Sequence, residues 1–128
     1  MKTKTIKTPP REGDCYDANG REFLDLCGRN KNEHVNYLMV HGVVINSVDK
    51  KPMGHAWIEA TLTMGSASMT TCLDFANGHA HSLSKETYYV LGGIAEDKVV
   101  RYTLEEYKKK ILESGHWGHW DLDINEDR

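Results

Sequence analysis

Gly54-His55-Ala56-Trp57-Ile58-Glu59-Ala60-Thr61-Leu62 decides the fold of this chain. Its residues alternate. Ala56, Ile58, Ala60 and Leu62 fall on one side of an extended segment, and His55, Trp57, Glu59 and Thr61 on the other. The stretch reads as a strand with one apolar face and one face that collects polar and aromatic groups.

The neighbours of this strand extend it into a sheet. Residues 35–45 are almost continuously apolar (Val35, Tyr37, Leu38, Met39, Val40, Val43, Val44, Ile45), the pattern of a strand buried on both faces. Residues 46–53, with Asp49 and Pro52, turn the chain back. Residues 65–68 form a second turn and 69–75 a third strand, so the three are expected as an antiparallel meander, with 98–102 as a fourth member.

Helical signals flank the sheet. Tyr16, Ala18, Phe23, Leu24, Leu26 and Cys27 give an imperfect helical stripe over residues 15–27, with Asp14 as the expected cap, Asp17 as its weak capping-box partner and Gly28 as the stop. Gly20 lies mid-helix, where glycine costs about 1 kcal/mol relative to alanine, and marks a kink or a close contact. Residues 76–81 read as a polar loop and 84–91 as a short helix closed by Gly92-Gly93. Thr103-Leu104-Glu105-Glu106 is a capping box opening a helix to about residue 114, closed by Gly115. The expected architecture is α+β in a single domain over residues 1–128. A Cys-bearing N-terminal helix packs on an antiparallel sheet of about four strands, with two C-terminal helices. Residues 1–12 are expected as an extended arm, 13–120 as the globular core and 121–128 as a mobile acidic tail.

Composition narrows the function classes. The hydrophobic fraction is 39% and the charged fraction 27%, ordinary for a globular chain. A net charge of −3 gives no electrostatic footprint for nucleic acid or anionic membranes. No apolar run approaches a membrane span and no signal-peptide core follows Met1, so a cytoplasmic location is expected. Three cysteines (Cys15, Cys27, Cys72) form no disulfide framework and suit a reducing compartment with unpaired thiols.

Cys15, His55 and Asp74 carry the candidate chemistry. A cysteine in the first turn of a helix meets unpaired backbone N–H groups and the positive end of the dipole, and both favour thiolate. His55 lies on the polar face of its strand. Asp74 shares a face with Cys72 and Thr70 on the next strand, so an antiparallel neighbour can bring it to His55. Thiolate, imidazole and carboxylate make up a nucleophilic triad. Trp57 and Glu59, on the face of His55, and Trp117, in the aromatic run Gly115-His116-Trp117-Gly118-His119-Trp120, are the candidate substrate contacts. The bland readings of the same residues are a Trp57 that shields the pair from water, a Glu59 paired with a lysine, and a 115–120 segment that plugs the core. Tyr88-Tyr89 reads as one core and one surface residue, and His41 as a satisfied core histidine.

Gly13-Asp14-Cys15 before a helix, then Val40-His41-Gly42-Val43-Val44, Gly54-His55-Ala56-Trp57-Ile58-Glu59 and Leu73-Asp74, resembles the transglutaminase-like core of the papain-like superfamily. The resemblance spans roughly residues 13–77, and the His-Ala-Trp-Ile-Glu block is its most specific part. The C-terminal part is similar to small uncharacterised phage and bacterial proteins that share this core. The resemblance implies Cys15 as nucleophile, His55 as general base and acid, and Asp74 as its orienter. It further implies a peptide or protein acyl substrate and no cofactor. The arm before Cys15 contains no Gln, Asn or Trp to match the family's oxyanion-hole side chain.

Two other functions compete. One is a catalytically silent member of the same fold that binds a protein, for instance a phage protein that engages a host factor. The other is a metal-binding protein using His79, His81, His116 and His119, although no cysteine pair has metal-finger spacing and the expected metal content is none.

Overall fold

A computed structural model describes residues 14–78 and 80–124. The chain runs α1 (Asp14–Arg29), β1 (Val35–Ile45), β2 (Pro52–Met64), β3 (Ala67–Asp74), β4 (His81–Ser84), α2 (Lys85–Gly92), β5 (Val99–Tyr102) and α3 (Leu104–Ser114). The five strands form one sheet in the order β4-β3-β2-β1-β5, and every neighbouring pair is antiparallel. The α+β class and the meander are as expected. The sheet gains β4, which spans the junction between the expected 76–81 loop and the helix expected from residue 84, because its four residues are exposed and carry no apolar alternation to announce them.

The two faces of β2 build two cores. Ala56 and Ile58 pack with Cys15, Tyr16 and Phe23 of α1 and with Tyr107 of α3. Trp57 packs on the opposite face with Val40, Cys72 and the α2 residues Tyr88 and Tyr89. The sheet is therefore covered by α1 and α3 on one side and by α2 on the other. Burying a ring such as Phe23 is worth about 3–5 kcal/mol, judged by what its removal costs in cores.

Helix ends follow their caps. Ser84 accepts from the Thr87 N–H (3.2 Å) and Gly93 ends α2 in the left-handed region. Thr103 and Glu106 form the expected capping box, and Gly115 closes α3. At the other end of the fold α1 begins at Asp14 within the described residues, and the side chain of Asp14, the expected cap, lies outside them. Gly20 resolves as a close contact: a methyl group there would collide with the Tyr107 hydroxyl and the Trp117 ring.

Two further expectations change. The tail does not loosen at residue 121. Asp121 accepts from the Tyr102 hydroxyl (2.7 Å) and Lys110 (3.2 Å), and Leu122 is buried. Tyr88 and Tyr89 are both half-buried beneath α2 rather than one in and one out. The expected arm 1–12 and the last residues of the tail lie outside the described residues.

Candidate active site

The site forms where β3 leaves β2. Their pairing ends at Ile58 and Leu73, while β2 continues back to Pro52. The freed edge of β2 is met by the N-terminal half of α1. Asn19 sits in the gap, fully buried. Its side-chain amide donates to the Ala56 carbonyl (3.0 Å), and its carbonyl accepts from the Phe75 N–H (2.9 Å). One side chain thus takes the place of a ladder rung that the diverging strands no longer make, and two buried backbone groups stay satisfied.

The same amide donates to the Cys15 carbonyl (3.1 Å) and to Asp74 Oδ1 (3.1 Å). Helix, strand and carboxylate are thereby tied to one residue. Sequence reasoning missed it. The available signal was its spacing: Cys15, Asn19 and Phe23 recur every four residues, so Asn19 is a polar group on the buried stripe.

Asp74 accepts four hydrogen bonds. Oδ1 takes Asn19 and the Ala76 N–H (3.1 Å); Oδ2 takes the Tyr88 hydroxyl (2.7 Å) and His55 Nε2 (2.7 Å). Burial alone would raise its pKa, but the bonds from His55, Tyr88 and Asn19 hold it well below the usual carboxylate range. Asp74 stays ionised, and its orientation is fixed on both oxygens.

His55 joins Asp74 to Cys15. Burial opposes a charged ring here, but hydrogen bonds to Asp74 and to the Cys15 side chain outweigh it and raise the imidazole pKa well above its ordinary value. Nε2 is occupied by Asp74, which leaves Nδ1 as the ring nitrogen available to the sulfur. An imidazolium beside sulfur is the partner a thiolate nucleophile needs. Cys15 itself is 4% exposed.

The three residues named from sequence are thus brought together. Three others are placed elsewhere. Trp57 is fully buried: its ring lies 6.1 Å from the His55 ring and its Nε1–H donates to Glu59 (3.2 Å). Glu59 is 3% exposed and accepts from Arg101 Nε (2.8 Å) and from the Tyr89 hydroxyl. Both side chains are closed off from solvent. They form a packed wall behind the imidazole, anchored by an arginine that also pairs with Glu96 (2.5 Å). Trp117 lies beside Gly20 and under the Arg21 guanidinium (5.3 Å), on the α1 side of the sheet, where it helps close the core.

The remaining histidines do not assemble. His81 is on β4 beside Asp74 in register, while His116 and His119 follow α3, near Trp120 (5.8 Å) and Tyr16 (5.7 Å). His79 lies outside the described residues. Among the described residues no three His, Cys, Asp or Glu side chains gather to hold a metal. None of the three cysteines forms a disulfide. Burial pushes the Cys72 thiol up to about 12 and raises Cys27.

A cleft of about 350 Å³ opens on the α2 side of the triad. His55, Asp74 and Tyr88 form part of its wall, and aliphatic side chains form most of the rest. No helix among the described residues is long and apolar enough to cross a membrane. In comparisons with known proteins, no family model, no curated protein and no solved structure matches this chain.

Proposed function

We propose that this chain is a cysteine-dependent acyl-transfer enzyme acting on amide or ester bonds, built on a transglutaminase-like, papain-like core. One observation carries the reading. Three side chains from three separate elements meet in a single hydrogen-bonded series, Cys15 to His55 to Asp74, with the carboxylate held by Asn19, Tyr88 and a backbone N–H.

Each group then has a role. Cys15 Sγ attacks the carbonyl carbon, and the Cys15 backbone N–H, at the N-terminal end of α1, donates to the developing oxyanion. His55 gives its proton to the leaving nitrogen or oxygen and later takes one from the water or amine that resolves the thioester. Asp74 holds the ring in place and stabilises its charge. Asn19 and Tyr88 are positioning residues that act through Asp74.

The test is iodoacetamide alkylation followed peptide by peptide. At pH 6–7 Cys15 is expected to react faster than Cys27 and Cys72, and His55→Ala is expected to slow Cys15 by on the order of 10²-fold. A Cys15 that reacts no faster than Cys72, or that is indifferent to His55→Ala, overturns the proposal in favour of a catalytically silent binding module.

A further inference from the structure

β4 covers only half of the outer edge of β3. It pairs with Thr71–Asp74 and then leaves for α2, so the outer edge of Ala67–Thr70 has no partner strand among the described residues. A cleft of about 590 Å³ opens in the step between them, with Ser68, Met69 and Thr70 on one side and Ser82, Ser84 and Lys85 on the other. Free strand edges are normally guarded by a charge, a proline or a bulge. Here neither charge nor proline is present: residues 60–73 contain no Asp, Glu, Lys, Arg, His or Pro. Residues 62–69 are exposed without a break, and Met64 and Met69 stand 56% and 63% exposed.

We propose that this edge is a self-association surface, on which β3 of a second copy of this chain pairs antiparallel with Ala67–Thr70 and extends the sheet across a two-fold axis. Charge selects the occupant. The two charged side chains of the cleft, Lys85 and Glu86, cancel, so it favours neither a basic nor an acidic strand. An uncharged hairpin fits it, and the chain supplies that hairpin itself. Each copy carries a net charge of −3, so two copies repel overall, and residues 60–73 are where they can meet without opposing like charges.

The side-chain pattern fixes the register. Ala67 and Met69 share a face with Met64 and Leu62, while Ser68 and Thr70 share the other with Thr63 and Thr61. Directly opposite residues in an antiparallel pair point to the same face, so apolar meets apolar only if the axis passes through a residue. An axis through Met69 would set Ala67 of the second copy against Thr71, which already pairs with Ser84. An axis through Ser68 gives the longest ladder that avoids β4. The two Ser68 side chains then face each other, and Ala67 of each copy lies opposite Met69 of the other. Such pairing is isologous and closes as a dimer. The contact falls below about 1,200 Å², so a dissociation constant on the order of 10–100 μM is expected. Asp74 ends β3 at its other end, and the inference stands independently of the acyl-transfer reading.

The test is sedimentation velocity on the full chain from about 5 μM to about 1 mM, with backbone amide exchange at both ends of that range. A monomer–dimer equilibrium is expected, with the outward amides of residues 67–70 exchanging about fivefold more slowly at the high concentration. Met69→Lys and Met64→Lys, both at exposed positions, are each expected to weaken association by at least about tenfold. Val90→Lys, 79% exposed on α2, is expected to leave it unchanged. A chain that stays monomeric at about 1 mM overturns the proposal. So does a dimer that survives both methionine substitutions, or one that Val90→Lys disperses. Growth beyond the dimer overturns the two-fold pairing. Slow exchange at residues 67–70 that is independent of concentration means that the same chain covers its own edge, and overturns the proposal as well.

Discussion

His41 and His55 sit on adjacent strands, one register step apart, and have opposite fates. His41 pairs with Ala56 across the β1–β2 ladder, and Gly42 pairs with His55. His41 is fully buried among Tyr16 (4.9 Å), Tyr102 (5.2 Å) and Trp120 (5.4 Å), with the Gly118 backbone against its ring. Neither of its ring nitrogens has a hydrogen-bond partner among the described residues. Burial, helped by the nearby His119 and opposed by Asp121, lowers its pKa to about 3. His55 is also largely buried, yet its two partners raise its pKa. Burial is common to both. What decides the charge is whether a carboxylate and a sulfur stand at the ring nitrogens.

The comparison fails most visibly if His55 is emptied. His55→Leu removes one partner of a buried pair and leaves Asp74 charged. A loss of about 3–5 kcal/mol is expected at pH 7, read by urea unfolding. Asn19→Leu removes the false rung and leaves the Ala56 carbonyl and the Phe75 N–H unsatisfied. At about 1–3 kcal/mol per stranded group, a loss of about 3 kcal/mol is expected. It should also lower Cys15 alkylation at pH 6, a change that lost packing alone would not single out among the three cysteines.

His41 is tested by pH. Its folded pKa lies below the unfolded value near 6.5, so the unfolded chain takes up the proton first. The contribution of the neutral ring is complete above pH 6.5 and is lost as pH falls towards 3. At pH 4.5 the loss is about 3 kcal/mol. His41→Leu should therefore be more stable than the parent by a margin about 3 kcal/mol larger at pH 4.5 than at pH 7. His55 has the opposite sign. Its contribution is complete below pH 6.5 and declines as pH rises through its raised pKa. Histidine NMR titration separates them directly, with His41 expected neutral at pH 5 and His55 still charged at pH 8. The smallest effect expected is Gly20→Ala, at about 1–2 kcal/mol, because the gain in helix propensity offsets part of the collision with Tyr107 and Trp117.

The His41–His55 contrast also separates what the sequence discloses from what it hides. Alternation placed His55 and Trp57 on one strand face, and a Thr-x-x-Glu box placed the start of α3, because both depend on chemistry local to a few residues. The fate of His41 depends on Trp120 and Gly118, far along the chain, and its sequence reading as a satisfied core residue gave way to an unpartnered one. Trp57 and Glu59 stand on the expected face but under α2, which no periodicity in β2 could announce. Asn19 was the subtlest omission. A polar residue on an apolar stripe was visible, but its four partners come from residues 15, 56, 74 and 75 and meet only after folding.

Asn19 makes the docking of α1 and the alignment of the triad a single event, because the bonds that fasten the helix to the seam are those that fix Asp74. By mass action, anything that occupies the aligned triad holds the helix down, and anything that lifts the helix disperses the triad. Amide exchange in α1 should therefore slow when a covalent adduct fills Cys15, while exchange in β1 changes little. Occupancy at the sulfur would then be legible as quiet in the helix.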